Sequence, residues 1–138
     1  MSLDLYLKET ANLAKQQSAL LESARKTLQE GGKLTPLEES GVLHALQLLI
    51  ENAIGKTKQT LKFANEPVPT SAYDAIEALT RIGQLPSDQL PQWMAIVGLR
   101  NRIVHEYMNL DTNRVLQLVE QKKYEIVTDF LLSPITRE

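Results

Sequence analysis

Apolar residues recur at three- and four-residue spacings through most of the chain, which is the periodicity of amphipathic helices. The first such stretch predicts a helix from about Ser2 to Gln29, capped by Ser2 and ended by Gly31 and Gly32. Because its apolar stripe is weak in places, we expect this helix to pack on one side only. The core-facing positions of the stripe are Leu3, Leu7, Thr10, Ala14, Gln17, Leu21, Ala24 and Leu28.

A second helix is predicted from Thr35, where a capping box coincides with proline at the first helical position, to about Ala64. Between Val42 and Ile54 it is apolar almost all round, which predicts burial on several sides. In a chain of this size, such a helix is either central or also faces a second subunit. His44 lies in this apolar part, and we expect a core or interface histidine there.

The later half of the second helix is basic. Lys56, Lys58 and Lys62 follow the apolar stretch. The first interpretation is a solvated face, and the alternative is a rim that contacts phosphate groups.

Three more helices are predicted by the same signals. Their approximate bounds are 71–81, 86–108 and 111–130, with Ser133 and Pro134 ending the last one. No strand pattern or internal repeat is present. The predicted fold class is therefore all-α: an up-and-down bundle of about five helices forming one domain over residues 1–138. The inward faces of the three helices are Ala72, Ala75, Ile76 and Leu79; Leu90, Trp93, Met94, Val97, Arg100 or Asn101, and Val104; and Val115, Leu116, Val119, Lys123, Ile126, Val127 and Phe130.

Composition narrows the possible functions. The net charge is −2 and the pI is near 5.7, which argues against broad electrostatic wrapping of nucleic acid, so any RNA contact must be local. Cysteine is absent and only two histidines occur, which argues against disulfides and a structural zinc site. No apolar run approaches the ~20 residues of a membrane span and no signal peptide is evident, so a soluble cytoplasmic protein is expected.

Ionisable and aromatic groups gather at residues 99–107, late in the fourth helix, and this stretch is called the Arg–His segment below. Arg100 supplies a permanent planar charge that can bind phosphate oxygens through two N–H groups. His105 belongs to the residue type that both takes and gives a proton near neutral pH, and Tyr107 adds a hydroxyl. A fixed charge and a proton shuttle suffice to cut RNA without a metal, because a 2′-hydroxyl must lose a proton and charge on phosphorus must be stabilised. The plainer interpretation is a solvated helix end.

The spacing Arg100-Asn101-x-x-x-His105-x-Tyr107 resembles the R-x4-H-x-Y signature of the HepT-like proteins, within the HEPN superfamily. In layout the resemblance extends from about residue 3 to residue 132. It implies the toxin half of a toxin–antitoxin pair whose antitoxin is a minimal nucleotidyltransferase.

The resemblance also implies a metal-independent endoribonuclease that needs no cofactor. His105 would act as general base or acid, Arg100 would bind the scissile phosphate, and Asn101 would orient the phosphate or His105. Tyr107 corresponds to the tyrosine to which the antitoxin adds AMP, and anionic phosphate there would block RNA binding. Arg102 would be a second phosphate-binding group or would pair with Glu106.

The helical wheel raises a difficulty for this site. On an ideal helix Arg100 and His105 lie about 140° apart, whereas Tyr107 lies about 20° from Arg100. Either the helix loosens near His105, or residues from two subunits meet in one cleft. We favour a homodimer, because the apolar second helix and the resemblance indicate it independently.

Two other functional classes stay open at this point. One is a non-catalytic helical module that binds nucleotides or proteins, which the acidic pI suits. The other is a purely structural helical dimer with the Arg–His segment on its surface. RNA cleavage that resists EDTA and depends on His105 would separate them from a nuclease. A nucleotide hydrolase is disfavoured, because the sequence has no Gly-rich phosphate loop and no carboxylate cluster at metal-binding spacing.

Overall fold

A computed structural model describes residues 3–134, and over that range the fold is all-helical. Ser2, the predicted cap of the first helix, lies outside the described residues. Short 3₁₀ turns occupy Ser87–Gln89 and Tyr107–Asn109. The α-helices of the described range are α1 (Leu3–Gln29), α2 (Pro36–Phe63), α3 (Ala72–Arg81), α4 (Leu90–His105), α5 (Thr112–Glu120) and α6 (Glu125–Leu132).

The α2 helix is the centre of the bundle. It packs against α1, α3, α4 and α6, so its own chain covers it on several sides. This position accounts for the nearly all-round apolar pattern, which therefore no longer indicates a second subunit. His44 is exposed within its own chain, so of the two positions predicted for it the core is wrong, and the interface stays a prediction. The buried apolar side chains of α2 are Val42, Leu43, Ala45, Leu46, Leu49, Ile50, Ala53, Ile54 and Leu61.

The predicted boundary between α1 and α2 is confirmed in detail. The Thr35 hydroxyl accepts a hydrogen bond from the backbone N–H of Glu38 at 3.1 Å, and the Glu38 carboxylate accepts one from the N–H of Thr35 at 2.8 Å. These reciprocal bonds pair two N–H groups that have no partner inside the helix. At the end of α1, Gly31 has a positive φ of 80°, a conformation that costs glycine little.

The basic half of α2 was predicted to be a solvated face, and this is wrong for Lys56. Lys56 is buried, and its Nζ donates hydrogen bonds to the carbonyl oxygen of Phe130 at 2.6 Å and to that of Ser133. The ammonium group also lies 4.9 Å from the centre of the Phe130 ring. Burial lowers the pKa of Lys56 to about 8, because the charged form loses its hydration. Lys58 joins α2 to the segment before α3 through the Thr70 carbonyl, 2.7 Å away.

The prediction of one helix over residues 111–130 was wrong. The chain leaves the helix after Glu120, and Lys122 adopts a positive φ of 57° before α6 begins. Two contacts from α1 stabilise this break: Arg25 Nε donates to the Glu120 carbonyl at 3.0 Å, and the Tyr124 hydroxyl donates to the Glu22 carboxylate.

The break lets both short helices bury their apolar sides, Val115 and Val119 in α5, Val127 and Leu131 in α6. None of the helices described between residues 3 and 134 is long and apolar enough to cross a membrane.

Candidate functional site

The Arg–His segment begins in the last part of α4, which ends at His105, and continues into the turn that follows. Trp93, Val97, Leu99 and Ile103 anchor α4 in the core. The helix stops at His105 because the next residue has φ −130° and ψ 32°, outside the helical region. A 3₁₀ turn over Tyr107–Asn109 then leads to α5. Its end is held by the Leu110 N–H, which donates to the Tyr107 carbonyl at 3.3 Å.

Arg100 lies on the core-facing side of α4. It follows Trp93 by seven residues, which places both on one side of the helix, and it is half-buried. Its Nε is buried and has no hydrogen-bond partner within residues 3–134; Nε1 of Trp93 is in the same state. A guanidinium with an unpaired inner nitrogen is unusual, since buried donors are almost always paired.

His105 lies on a different side of α4 and is exposed. The helix is regular through His105, so the predicted separation of about 140° from Arg100 applies. A loosening of the helix that would bring the two together is therefore not observed within the chain.

Tyr107 lies beyond the end of the helix, so its predicted place about 20° from Arg100 was wrong. Its side chain is 52% exposed, and Met108 beside it is 90% exposed. The hydroxyl-bearing side chain thus projects from a surface turn rather than from the helical wheel.

Arg102 is exposed and lies on the His105 side of α4, as predicted. In the described part of the chain it forms no ion pair with Glu106. Asn101 is half-buried. Of the two roles predicted for Arg102, the pairing with Glu106 is therefore not observed.

Sequence patterns did not single out Tyr73, which lies in α3 beside the Arg–His segment. A methyl group at Gly98 would lie 3.4 Å from the Tyr73 hydroxyl oxygen and 3.9 Å from a terminal nitrogen of Arg102. Gly98 therefore lets these two polar groups approach the same point of α4. The only signal for this contact in the sequence is Gly98 itself, a glycine in the interior of a predicted helix, where it can mark a close approach of another group.

A groove of about 770 Å³ runs between α4 and the α5–α6 pair, above α2. Its lining from the Arg–His segment includes Arg102 and Glu106, but not Arg100, His105 or Tyr107. The floor is formed by Leu46, Leu49 and Ile50, and the cations along it are Arg102, Arg114, Lys122 and Lys123. Among residues 3–134, no three His, Asp or Glu side chains group closely enough to hold a metal ion.

A family model described as Ribonuclease HepT-like matches residues 14–132 of the chain. The chain belongs to the HepT-like ribonuclease family. A candidate RNase of Archaeoglobus fulgidus is 33% identical over 89 residues, which cover 64% of this chain and 67% of that protein. The resemblance noted from the sequence is thereby confirmed at the level of the family.

Two solved structures share the fold of this HepT-like chain. One belongs to a toxin–antitoxin complex with AMP-PNP, with a TM-score of 0.76 and 17% identity, covering 95% of this chain and 99% of that one. The other is the tri-AMPylated HEPN toxin of Shewanella oneidensis in complex with its MNT antitoxin, with a TM-score of 0.75, 19% identity, and coverage of 95% and 98%. These similarities confirm the predicted all-helical, HEPN-like fold class.

Proposed function

We propose that this chain is a toxin-type endoribonuclease that cleaves RNA without a metal, and that a minimal nucleotidyltransferase antitoxin inhibits it. The observation that carries the proposal is an exposed histidine, His105, at the end of α4 in a chain of the HepT-like ribonuclease family. The relative from Archaeoglobus fulgidus and the two toxin–antitoxin structures support the same class of function.

The proposed reaction is an internal transesterification of RNA. The His105 imidazole takes the proton of a 2′-hydroxyl, whose oxygen bonds to the adjacent phosphorus. The bond from phosphorus to the 5′-oxygen breaks, and His105 returns the proton to that oxygen. The products are a 2′,3′-cyclic phosphate and a 5′-hydroxyl. Arg100 binds the phosphate and stabilises its extra negative charge, and the Asn101 amide orients the phosphate or the imidazole.

We propose that each site is shared between two protomers of a homodimer. Arg100 and His105 lie on different sides of a regular helix, so one phosphate reaches both more readily when they come from different chains. Large apolar side chains beside the motif support an interface there: Val104 is 41% exposed and Met108 is 90% exposed. A second protomer would cover them.

The exposed Tyr107 hydroxyl is the proposed modification site. In the proposed reaction its oxygen bonds to the α-phosphorus of ATP, pyrophosphate leaves, and the phenolic proton is released. Each added AMP places a phosphate next to Arg100 and His105, where it occupies the position of the substrate phosphate and repels RNA.

The test is cleavage of single-stranded RNA by the purified chain, with and without EDTA. We expect cleavage in both conditions, with products ending in a 2′,3′-cyclic phosphate. His105→Ala removes the proton shuttle, so it should lower the rate by about 100-fold or more. Arg100→Lys keeps the charge but loses bidentate binding, and it should also lower the rate.

His44→Ala is the matched control, because His44 is also exposed but lies on α2. It should cleave at the parent rate. A parent chain that binds RNA without cutting it would instead support the non-catalytic binding module. Equal rates for the parent and His105→Ala would contradict the site assignment.

A further inference from the structure

Two side-chain hydrogen-bond donors approach the same point of α4, at Gly98. The Tyr73 hydroxyl of α3 and a terminal nitrogen of Arg102 lie 3.4 Å and 3.9 Å from the position that a methyl group would take at Gly98. Within residues 3–134, neither group has a hydrogen-bond or ion-pair partner. Because Gly98 has no side chain, the space between the two donors stays open.

This pair shares a side of the helix with His105. Gly98, Arg102 and His105 are spaced at i, i+4 and i+7, which places them one above another along α4. From Gly98 to His105 the rise is about 10 Å, and from Arg102 to His105 it is about 4.5 Å. The pair is therefore near His105 within one chain, whereas Arg100 is on another side.

The chemistry of the two donors defines the ligand. A guanidinium beside a hydroxyl favours an anionic oxygen acceptor, and a phosphate offers several such oxygens. Two carboxylates lie one helical turn from the pair. Glu77 on α3 is partly neutralised by Arg81, whose guanidinium nitrogen is 3.8 Å from its Oε1, and Glu106 follows Arg102 by four residues without forming an ion pair in the described part of the chain. We propose that Tyr73 and Arg102 bind a phosphate of the RNA substrate. It is the phosphate next along the strand from the one at which His105 acts.

This inference rests on the proposed function and deepens it, because it adds Tyr73 as a substrate-binding residue. Arg102 supplies the charge of this phosphate subsite and Tyr73 supplies a directional hydrogen bond. An exposed tyrosine that only packs on α4 would use its ring and not its hydroxyl. The hydroxyl is therefore the group to remove.

The first experiment compares Tyr73→Phe with the parent in steady-state RNA cleavage. Losing one hydrogen bond to bound substrate should raise KM about threefold to tenfold, while kcat stays near that of the parent, because the contact is made equally in the ground and transition states. Tyr6→Phe is the matched control. Its hydroxyl also faces a helical glycine, 3.5 Å from a methyl position at Gly55, but on the α1–α2 contact.

The second experiment measures binding of a fluorescein-labelled single-stranded RNA to His105→Ala chains, so that cleavage does not interfere. Adding Arg102→Gln should reduce the slope of log K against log salt by about 0.7, the value for one phosphate contact. Adding Tyr73→Phe should weaken binding without changing that slope. Circular dichroism melting of each variant checks that the fold is intact.

The outcomes separate this inference from the proposed function. If the parent cleaves RNA and KM is equal for Tyr73→Phe, Tyr6→Phe and the parent, the proposed phosphate subsite is wrong and the proposed nuclease activity stands. If the parent does not cleave RNA, but Tyr73→Phe binds RNA more weakly than the parent does, the proposed nuclease activity is wrong and the proposed phosphate subsite stands. RNA binding that neither Tyr73→Phe nor Arg102→Gln weakens overturns the subsite in either case.

Discussion

At the scale of single residues, the Arg–His motif and the separation of Arg100 from His105 could be predicted from the sequence, but the position of Tyr107 could not. The residue types and spacing of Arg100, His105 and Tyr107 are visible in the printed sequence. The end of α4 at His105 is not, because no glycine or proline marks it. That end takes Tyr107 off the helical wheel.

The proposed modification of Tyr107 predicts a single modified residue. Co-expression with a minimal nucleotidyltransferase of the antitoxin class should raise the intact mass by whole AMP units and abolish RNA cleavage. Tyr107→Phe should show no added mass, because it has no hydroxyl. Tyr6→Phe is the control and should be modified like the parent, since Tyr6 lies on the α1–α2 contact, away from the motif. Added AMP on Tyr107→Phe, or full cleavage by the modified parent, would contradict the assignment.

At the scale of elements, local signals were sufficient wherever the chain stabilises an element by itself. The capping box at Thr35 and the glycine end of α1 are short-range features, and both were predicted correctly. The break between α5 and α6 depends on contacts with α1, nearly a hundred residues earlier in the chain. Lys122 takes a positive φ there although it is not glycine, so no local pattern marked the turn. The one hint was Lys123, a charged residue within the predicted apolar stripe.

The contact between α2 and α6 predicts a pH dependence of stability. The pKa of Lys56 is lowered to about 8 in the folded chain, against about 10.4 in an unfolded one. Between those values the unfolded state binds more protons, so the free energy of unfolding should rise with pH, by at most about 1.4 kcal/mol per pH unit. Burial raises the pKa of Tyr124, which opposes this trend only above about pH 10, where an unfolded tyrosine ionises.

Urea unfolding at intervals between about pH 8 and pH 10 measures this slope. Lys56→Met should remove most of it, because the titrating group is gone while the length of the side chain is kept. Lys58→Met, two residues further along α2, should retain the slope of the parent. Equal slopes for the parent and Lys56→Met would show that the buried ammonium is not its source.

At the scale of the whole molecule, α4 presents its functional groups in two directions. Its core-facing side carries Arg100, and its exposed side carries Arg102 and His105 next to Tyr73. The sequence predicted this conflict between Arg100 and His105, and α4 retains it because the helix is regular up to its last residue. With α2 covered by its own chain, the case for a dimer now depends on the motif and on the exposed apolar residues beside it.

A shared site predicts that two impaired variants, each defective at a different residue, restore activity to each other. In a dimer of Arg100→Lys with His105→Ala, one of the two sites combines the intact Arg100 of one chain with the intact His105 of the other. Random pairing in a co-expressed equal mixture makes half of the dimers mixed, so the activity should recover to about a quarter of the parent's. A site formed within one chain would leave every site defective and the mixture as inactive as its components. Purifying the mixed dimer through two different affinity tags, and titrating it against the parent, distinguishes these results. Since His44→Ala keeps a complete site, its mixed dimer with His105→Ala should have about half of the parent's activity under either arrangement, which calibrates the measurement.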